Sequence, residues 1–353
     1  MRRCALVLVF VLSACATAQP SPSPFPTEQP TATPTPTPSP TPTPRVYWPL
    51  RGTLAPSPEA IRKRPVVVRI GNDSAARPQS GLSKADMVWE LLVEGGITRY
   101  MAVFHSEDVD EIGPIRSARL SDLQYAPMLR AILAHVGAST IVLSKVNAAA
   151  ARGEFINVDE VSAESFFTRV TTRKMPQNAY TSSGRLRAAA GLAGDTADVD
   201  VPALPFAICG GPCPASTPAH TFTIPYLGAQ AVTYTFEPAA RAYHRTQGGS
   251  PTIDATTGEK VTATSVIVIF TDITPQPGIV EDVLGSVSLD IRTTGAGAVA
   301  IFDGDGVRRD GTWSRQGSDM YRFTDASGAP LTVWPGQTWV HVIPSDWKVP
   351  SAP

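Results

Sequence analysis

The sequence lacks the residue patterns on which most enzyme classes and metal sites depend. It contains 4 cysteines and 5 histidines in 353 residues, and it has no HExxH, GxSxG, P-loop or zinc-binding cysteine pattern. The histidines are also scattered along the chain, whereas a zinc site needs ligands that converge. The sequence therefore predicts no metal and no cofactor, and it assigns no catalytic residue.

An excess of charge and long apolar runs are missing as well. The chain has 30 Lys and Arg against 31 Asp and Glu, a formal net charge of -1, so it lacks the general basic field that nucleic-acid binding needs. Beyond the N-terminal residues, no apolar run reaches the roughly 18 residues of a membrane-spanning helix. We therefore expect no nucleic-acid partner and no further membrane segment.

What is present begins with a secretion signal. Arg2 and Arg3 precede an apolar run at residues 5–12, and Leu-Ser-Ala-Cys at residues 12–15 resembles the bacterial lipobox, whose cysteine is lipidated before cleavage. We predict a signal peptide over residues 1–15, a palmitate-bearing lipid anchor on Cys15, and attachment to the extracytoplasmic face of a bacterial cell membrane. The alternative is ordinary signal cleavage, in which Cys15 has no role.

A proline-rich spacer follows the signal. Proline alternates with Ser and Thr over residues 20–44 and no apolar period remains, so this stretch cannot bury a core. Its prolines favour polyproline II at about 3.1 Å per residue, or roughly 75 Å of reach. We predict a disordered stalk over residues 16–60, and the alternative is a leader with no required length.

Two cysteines remain for the folded part, in a connection that we place at residues 196–219. Cys209 and Cys213 are separated by Gly-Gly-Pro, which brings two thiols within bridging reach and predicts a disulfide in an oxidising compartment. The alternative is a redox-active pair. Such pairs are more often CxxC before a helix, and Pro212 and Pro214 oppose a helix here.

Residues 61–195 mix strands with helices. The β-branched run at residues 65–71 predicts a strand, and a helix is predicted from about Ser183, capped by that serine or the one before it. The apolar segment at residues 134–146 predicts a further strand or buried segment. His135 within it is either a core group or a base.

The segment MVWELLVEGGITRYMAVF predicts a β-hairpin. The glycine pair at residues 95–96 tolerates the positive φ angles of a two-residue turn. The pairing that such a turn imposes would place Glu90 and Glu94 on the same face as Arg99, each diagonal to it across the two strands.

The motif GPIRSAR, residues 113–119, concentrates positive charge at a turn. We predict that a helix begins near Ser117, which would place Arg116 and Arg119 at a helix N-terminus, where the dipole favours an anion over a cation. Backbone N–H groups and two guanidiniums there would form an anion site. The alternative is that both arginines pair with the protein's own carboxylates, namely Glu90, Glu94 or Asp86.

From about residue 220 the pattern changes to short alternating strands between Gly- and Asp-type turns. We predict a second, β-rich domain over residues 220–348. The fold class is therefore α+β, with a mixed α/β N-terminal domain followed by a β-rich C-terminal domain. Trp313, Trp334 and Trp339 are either core residues or a ligand-stacking platform.

The string from GNDSAARPQSGLSKAD through GPIRSAR, followed by LAHVGAS and RKMPQNAYTS, resembles the YerB-like bacterial lipoprotein family, whose domains have no assigned function. TIDATTGEKVTATSVIVIF and LTVWPGQTWVHVIP extend the resemblance, which covers most of residues 60–345. The resemblance implies a mixed α/β domain and a β-rich domain on a membrane-anchored extracytoplasmic protein. It implies no reaction.

Three functions remain open from the sequence. The first is a noncatalytic envelope protein that binds an anionic ligand or peptide, such as a cell-wall precursor. The second is a scaffold that docks other envelope proteins through the β-rich domain. The third is a hydrolase of wall polymer or phosphoester with Glu90 or Glu94 as the acid-base carboxylate. We favour them in that order. The candidate ligand-binding residues are Arg77, Ser80, Glu90, Glu94, Arg99, Arg116, Ser117, Arg119, His135 and Asn178.

Overall fold

The computed structural model describes residues 45–195, 198–208 and 216–353. Residues 45–353 form one compact unit. The predicted signal peptide, Cys15, the first part of the stalk and the predicted Cys209–Cys213 disulfide lie outside the described residues. None of the helices in the described ranges is both long and apolar enough to cross a membrane.

The stalk predicted for residues 16–60 is too long at its C-terminal end. Leu50 is fully buried, Trp48 is 8% exposed, and Tyr47 forms a β-bridge with Leu54. These residues pack because they carry enough apolar surface to offset the entropy lost on ordering the chain, and the Pro-Thr repeat before them has no such side chains. The folded body therefore starts well before residue 60.

Helices and strands alternate in the first half of the described chain. Its elements are β1 (Val66–Gly71), β2 (Met87–Leu92), β3 (Thr98–Phe104), α1 (Asp122–Met128), β4 (Ile132–His135), α2 (Thr140–Ala151), β5 (Ile156–Asp159), β6 (Thr168–Arg169), β7 (Ala179–Tyr180) and α3 (Ser183–Leu192). The predicted helix from Ser183 is confirmed, and the hydroxyl of the serine before it accepts a hydrogen bond from Arg185 N–H at 3.2 Å.

The second half of the described chain contains strands and no α-helix, as its alternating pattern predicts. Its elements are β8 (Ser216–Pro218), β9 (Thr221–Ile224), β10 (Val232–Glu237), β11 (Ala242–Gln247), β12 (Ser250–Pro251), β13 (Thr262–Ala263), β14 (Ser265–Thr271), β15 (Ile273–Val280), β16 (Val287–Ile291), β17 (Gly295–Asp303), β18 (Val307–Arg315), β19 (Arg322–Thr324), β20 (Thr338–Pro344) and β21 (Ser351–Ala352). Trp313, Trp334 and Trp339 are buried core residues.

The largest sheet has 11 strands and runs through both halves of the chain. Its order is β19-β18-β17-β14-β20-β2-β3-β1-β4-β5, with β8 beside β18. Strand β20 lies between β14 and β2 and runs parallel to both. The two halves therefore share one hydrogen-bonded sheet, and β2 and β3 lie near its middle.

Both faces of this sheet are covered. A second sheet, of order β12-β11-β10-β9-β21, packs on the face that carries Val66, Tyr100 and Trp339, together with α3. Helices α1 and α2 pack on the other face, against Trp89 and Met101. Since successive residues of a strand point to opposite faces, neighbouring residues of β2 and β3 enter different cores.

The helix predicted from Ser117 is wrong in its start and its length. Helix α1 begins at Asp122 and ends at Met128, and the apolar residues that follow form β4, where Ile132 pairs with Val66. A short apolar run buried in a parallel sheet cannot be distinguished from a buried helical turn by its periodicity. The periodic residues here belong to a short helix followed by a strand.

The strand or buried segment predicted over residues 134–146 is also wrong in part. Strand β4 ends at His135, and α2 begins at Thr140 and runs to Ala151. The four alanines that end α2 have the highest helix propensity of any residue. They extend the helix through a segment whose β-branched residues alone favour a strand.

Candidate functional site

The predicted hairpin of β2 and β3 forms, but its turn has three residues rather than two. Val93 N–H donates to Ile97 O at 3.0 Å, which encloses residues 94–96. Gly95 and Gly96 have φ angles of 71° and 70°, which glycine adopts without steric cost. The glycine pair therefore identified the turn correctly and its length incorrectly.

The extra turn residue shifts the strand pairing by one position. Glu90 lies opposite Tyr100, and Leu91 lies opposite Arg99. Because directly opposite residues share a face and a shift of one residue reverses every side chain, Glu90 and Arg99 enter different cores. The predicted face that joins Glu90, Glu94 and Arg99 is therefore wrong, and the predicted residues divide between two clusters.

The first cluster joins Glu94 to Arg99 and Arg119. Arg119 Nε donates to Glu94 Oε2 at 2.7 Å and its Nη2 donates to Oε1, which also accepts from Arg99 Nη2 at 3.1 Å. All three side chains are at most 8% exposed. Burial raises the pKa of Glu94, but the hydrogen bond from Arg119 and the charges of both guanidiniums outweigh it and leave that pKa below its usual value. Glu94 is therefore held ionised.

Backbone carbonyls complete the contacts of the two arginines. Arg99 Nη1 donates to Ser117 O at 3.1 Å, and Arg119 Nη1 donates to Ala118 O at 2.8 Å. Burial, with the charge of Arg119 next in size, lowers the pKa of Arg99 to about 9. Arg119 therefore pairs with one of the protein's own carboxylates, as the alternative prediction stated. That carboxylate is Glu94.

The GPIRSAR segment is extended rather than helical. Ile115 forms a β-bridge with Ile70, and Arg116 N–H donates to Arg69 O at 2.9 Å. The fully buried Ile115 side chain favours this path, because a segment that runs beside β1 places it in the core. The predicted anion site at a helix N-terminus is therefore wrong, since α1 begins only at Asp122.

Arg69 and Asp122 lie behind the first cluster, and both side chains are fully buried. Arg69 Nη1 is 3.5 Å from Asp122 Oδ1, and no guanidinium nitrogen of Arg69 has a hydrogen-bond partner among the described residues. Burial lowers the pKa of Arg69, against the charge of Asp122. Sequence reasoning missed both residues, although an arginine within the run VVVRIG was a signal, because buried arginines are rare unless paired.

A hairpin from the second half of the chain covers the first cluster. We call β15, β16 and their turn, residues 273–291, the strap; it forms a two-stranded sheet of its own and packs against residues 94–96. Glu281, in its turn, has a fully buried side chain with Oε2 3.5 Å from Arg119 Nη1. Sequence reasoning missed Glu281, because no local pattern links it to an arginine so distant along the chain.

Glu90 lies in the second cluster, on the opposite face of the sheet. Its Oε1 accepts from Asn72 Nδ2 at 3.1 Å and from Thr98 Oγ1 at 2.8 Å, and its Oε2 accepts from Arg245 Nη2 at 2.8 Å. Both charged side chains are fully buried, and the Arg245 guanidinium lies 4.6 Å from the centre of the Trp339 ring. Both oxygens of Glu90 are therefore used within the protein.

His341 extends the second cluster between two tyrosines. Its Nδ1 is 3.1 Å from Tyr226 Oη and its Nε2 is 2.9 Å from Tyr234 Oη. Burial and the charge of Arg245 lower the pKa of His341 well below its ordinary value, so the ring is neutral. Sequence reasoning missed both His341 and Arg245, since their inward positions in β20 and β11 gave no sign of a partner in the other half.

A groove of about 450 Å³ lies where the loop before β2 meets β11 and β12. Its lining includes Arg77, Pro78, Gln247, Ser250, Pro251 and Thr252. Arg77 is the only charged residue among the described residues that line it. A larger and mainly apolar cavity, of about 720 Å³, lies elsewhere, between residues 47–62 and 199–208, and contains none of the predicted residues.

The hydrogen-bond partners of Arg77 within the described ranges are all neutral. Its Nη2 donates to Asn72 O at 2.8 Å and to Gln230 Oε1 at 2.9 Å, and its Nε donates to Asn72 Oδ1 at 3.3 Å. No carboxylate oxygen of the described chain lies within 4.0 Å of its guanidinium. Burial lowers the pKa of Arg77, as does the charge of Arg245. An anion in the groove would reverse that effect.

Three predicted residues lie outside both clusters and the groove. Ser80 Oγ donates to Glu111 Oε1 at 2.7 Å, and Asn178 Oδ1 accepts from Arg169 Nη1 at 2.9 Å. Both ring nitrogens of His135 are hydrogen-bonded near the end of β4, which agrees with a core group. The structure therefore does not bring these three side chains to a common site.

Arg116 lies beside the first cluster and has no direct carboxylate partner in the part of the chain that the structure describes. Its Nη1 is 3.4 Å from Pro176 O, and burial lowers its pKa against the charge of Asp73. Nowhere in the described ranges do three His, Cys, Asp or Glu side chains converge as a metal site requires. The chemistry of the candidate region is therefore that of guanidinium groups and carboxylates.

Family models match both halves of the chain. The "Protein of unknown function (DUF3048) N-terminal domain" matches residues 50–195, and its C-terminal domain matches residues 222–340. The chain is 30% identical over 300 residues to YerB of Bacillus subtilis (strain 168), whose name describes it as a lipoprotein, with 84% of this chain and 86% of YerB covered. The chain belongs to the DUF3048 family. The resemblance found in the sequence is thereby confirmed.

A solved structure supports the same fold for this DUF3048 protein. The crystal structure of YerB protein from Bacillus subtilis matches with a TM-score of 0.73 at 26% sequence identity, over 87% of this chain and 100% of that chain. The coarse fold class, mixed α+β and rich in strands, is confirmed. In this DUF3048 protein the two family domains meet where β20 of the second pairs with β2 of the first.

Proposed function

We propose that this DUF3048 protein is a noncatalytic lipoprotein of the bacterial envelope that binds the carboxylate of a peptide in the groove beside Arg77. The observation that carries the proposal is a partly buried guanidinium that has no carboxylate partner within 4.0 Å in the described chain. A guanidinium fits a carboxylate through two parallel hydrogen bonds. The groove, of about 450 Å³, has the volume of a short peptide end rather than of a polymer.

The neighbouring residues support a peptide over a bare ion. Ser250 and Thr252 supply hydroxyl groups to the groove wall, and Pro78 and Pro251 supply apolar surface. Mixed walls of this kind are typical of sites that orient an organic ligand around one charged contact. Arg99 and Arg119, which the sequence assigned to the same ligand, are instead engaged by Glu94.

The noncatalytic part of the proposal rests on the predicted acid-base residues. Glu90 is fully buried with both oxygens hydrogen-bonded, and Glu94 is held ionised by two arginines. A general acid must be able to carry a proton and to reach the substrate. Neither carboxylate meets both conditions, which disfavours the hydrolase hypothesis, while the scaffold hypothesis stays a prediction.

The anchor is part of the same proposal. Cys15 ends a segment that resembles a lipobox, and the relative YerB is named as a lipoprotein, so we infer a lipid-anchored protein at the extracytoplasmic face of the cell membrane. The oxidising compartment outside that membrane favours a Cys209–Cys213 disulfide. A Cys15→Ser variant is expected to move from the detergent phase to the aqueous phase in detergent partitioning. Retention of the variant in the detergent phase would contradict lipidation at Cys15.

Binding is tested by calorimetric titration of the full-length protein in detergent with acetyl-D-Ala-D-Ala and with its C-terminal amide. We expect the acid to bind at least about tenfold more tightly than the amide, because a charged hydrogen bond is lost in the amide. Arg77→Gln should abolish that difference. The matched control, Arg322→Gln, alters an exposed arginine in β19 and should retain it. Equal affinity for acid and amide would refute the proposal.

A further inference from the structure

Positive charge beneath the strap is balanced in part by a buried carboxylate of the strap. Four arginines act on one another across the first cluster, and the N-terminal half contributes three carboxylates to them. The arginines are Arg69, Arg99, Arg116 and Arg119, and the carboxylates are Asp73, Glu94 and Asp122. The strap adds the buried carboxylate of Glu281 beside Arg119. It also carries the exposed Asp282, whose pKa is lowered by hydrogen bonds from Ser286 and by the charge of Arg119. The four arginines therefore outnumber the three carboxylates of the N-terminal half once the strap is lifted.

The Glu281 carboxylate is buried beside Arg119 but accepts no hydrogen bond from the described residues. Its side chain is fully buried and its Oε2 is 3.5 Å from Arg119 Nη1. Neither of its oxygens accepts a hydrogen bond from any residue of the described ranges. A buried carboxylate usually accepts several, because its desolvation is otherwise uncompensated. The contact supplies charge to the first cluster, but among the described residues it satisfies none of the hydrogen bonds that the Glu281 carboxylate could accept.

Donors are also left over in the same cluster. None of the guanidinium nitrogens of Arg69 has a hydrogen-bond partner in the described structure, and the buried Nε of Arg116 has none either. Arg69 is 0% exposed. The first cluster together with its neighbours Arg69 and Arg116 therefore contains more N–H groups than the nearby carboxylates use, and such a surplus is the composition of a site that binds an external oxyanion.

The strap can move without disturbing the large sheets. Strands β15 and β16 form ladder hydrogen bonds with each other and with neither large sheet. Most side chains of β15 are exposed or half-buried, and the base of the strap is held by an ion pair of Arg292 with Asp272 at 2.9 Å. Lifting its turn therefore costs few buried contacts and breaks no hydrogen bond of the large sheets.

We propose that the first cluster is a carboxylate-binding site whose binding position is filled by Glu281 in this structure, and that an acidic peptide displaces Glu281 and lifts the strap. A carboxylate is the matching ligand because it is the same chemical group as the Glu281 side chain that it replaces beside Arg119. This site is separate from the groove at Arg77 and does not depend on ligand binding there.

The first test asks whether the position binds a carboxylate once Glu281 is removed. The full-length protein in detergent is melted in sodium acetate and in sodium chloride of equal ionic strength, as wild type and as Glu281→Ala. We expect Glu281→Ala to melt lower in chloride and to regain about 2–3 °C at an acetate concentration ten times the dissociation constant. The wild type should respond much less, because its own carboxylate competes.

Asp290→Ala is the matched control for this test, because it removes an exposed carboxylate from the same strap. It should show no acetate-specific shift. The shift in Glu281→Ala should persist when Arg77→Gln is added, which separates this site from the groove. An acetate response in Asp290→Ala equal to that in Glu281→Ala, or no response in Glu281→Ala, would overturn the proposal.

The second test asks whether a ligand displaces Glu281 in the wild type. Hydrogen exchange of the full-length protein is followed with acetyl-Glu-Glu-Glu-amide and with the corresponding glutamine peptide. The amide of Glu281, which donates to Ser286 O at 2.8 Å, should exchange at least about threefold faster with the glutamate peptide alone. Amides of β10 should not change. Unchanged exchange in the strap at a saturating peptide concentration would overturn displacement.

Discussion

The two faces of the β2–β3 hairpin each carry a glutamate paired with arginine, and they differ in how completely the pair is satisfied. On one face, Glu90 uses both oxygens in hydrogen bonds to groups that include Arg245. On the other, Glu94 is satisfied, but the polar side-chain atoms of Arg69 and Glu281 nearby have no hydrogen-bond partner among the described residues. The Glu90 pair is fully buried and the first cluster is at most 8% exposed, so the two faces differ little in depth and more in hydrogen-bond satisfaction.

This difference separates a structural network from a candidate site. The Glu90 network joins the two family domains, because Glu90 lies on β2 and Arg245 on β11. Both oxygens of Glu90 are satisfied in this network, and among its described members only the Nε of Arg245 is left without a hydrogen-bond partner, so the network has little to gain from a ligand. The cluster under the strap has donors to spare, and its cover is a hairpin rather than a sheet. The following predictions test the comparison from the largest expected effect to the smallest.

The largest effect is expected on the face closed by the second sheet. Arg245→Met removes the guanidinium but leaves the fully buried Glu90 carboxylate without its charged partner, which should lower the free energy of unfolding by about 3–5 kcal/mol. Denaturant unfolding monitored by tryptophan fluorescence measures this loss. The double variant Arg245→Met, Glu90→Gln should recover part of it, because the uncompensated charge is gone. If Arg245→Met were as stable as the wild type, Glu90 and Arg245 would not be a stabilising pair.

A smaller loss is expected beneath the strap. Glu94→Gln removes the carboxylate that binds Arg99 and Arg119 and should lower the free energy of unfolding by about 2 kcal/mol, since the cluster lies nearer solvent than Glu90 does. High salt should reduce this loss in the Glu94 variant and leave that of Arg245→Met unchanged. Identical salt dependence in the two variants would contradict the distinction between the faces.

The smallest effect is a difference in pH dependence. Burial and the charge of Arg245 lower the folded-state pKa of His341 well below 6.5, so the unfolded chain binds more protons as the pH falls below that value. The contribution of the neutral His341 is thus complete above pH 6.5 and declines as the pH falls. The wild type should lose up to about 1.4 kcal/mol more per pH unit than His341→Gln does.

A second histidine makes the choice of control important for the pH measurement. Burial lowers the pKa of His105 to about 4, so it has the same direction of pH dependence between about 6.5 and 4. Because His105 is present in both proteins, the difference between their unfolding free energies isolates His341. Parallel pH curves for the two proteins would show that His341 is not held neutral by the fold.

Local patterns predicted the elements whose determinants are adjacent in the chain. The strand at residues 65–71, the helix from Ser183 and the strand-rich second half all follow from periodicity, capping and turn residues. The register of the β2–β3 hairpin did not follow, because Gly95-Gly96 fits turns of two and of three residues. The third turn residue decided whether Glu90 and Arg99 share a face of the sheet. An error in the length of the turn therefore became an error in the predicted site.

Ion-pair partners from distant parts of the chain also could not be predicted from the sequence. Arg245 for Glu90 and Glu281 for Arg119 are each more than 150 residues away from their partners, since the two halves of the chain share one sheet. A charged residue in a strand signals that some partner exists, as Arg69 does within its apolar run. It gives no indication of which residue that partner is.

The sequence by itself determined the predicted lipobox at Cys15, the proline-rich spacer, the family and the strand content of each half, because these depend on composition and on residues next to one another. Only the tertiary structure decided that Glu94 binds Arg99 and Arg119, that Glu90 belongs to a network with Arg245, and that Arg77 has no carboxylate partner within 4.0 Å among the described residues. The physical reason is that charge pairing depends on distance in space. In this chain that distance is set by strand register and by β20, which joins the two halves in one sheet.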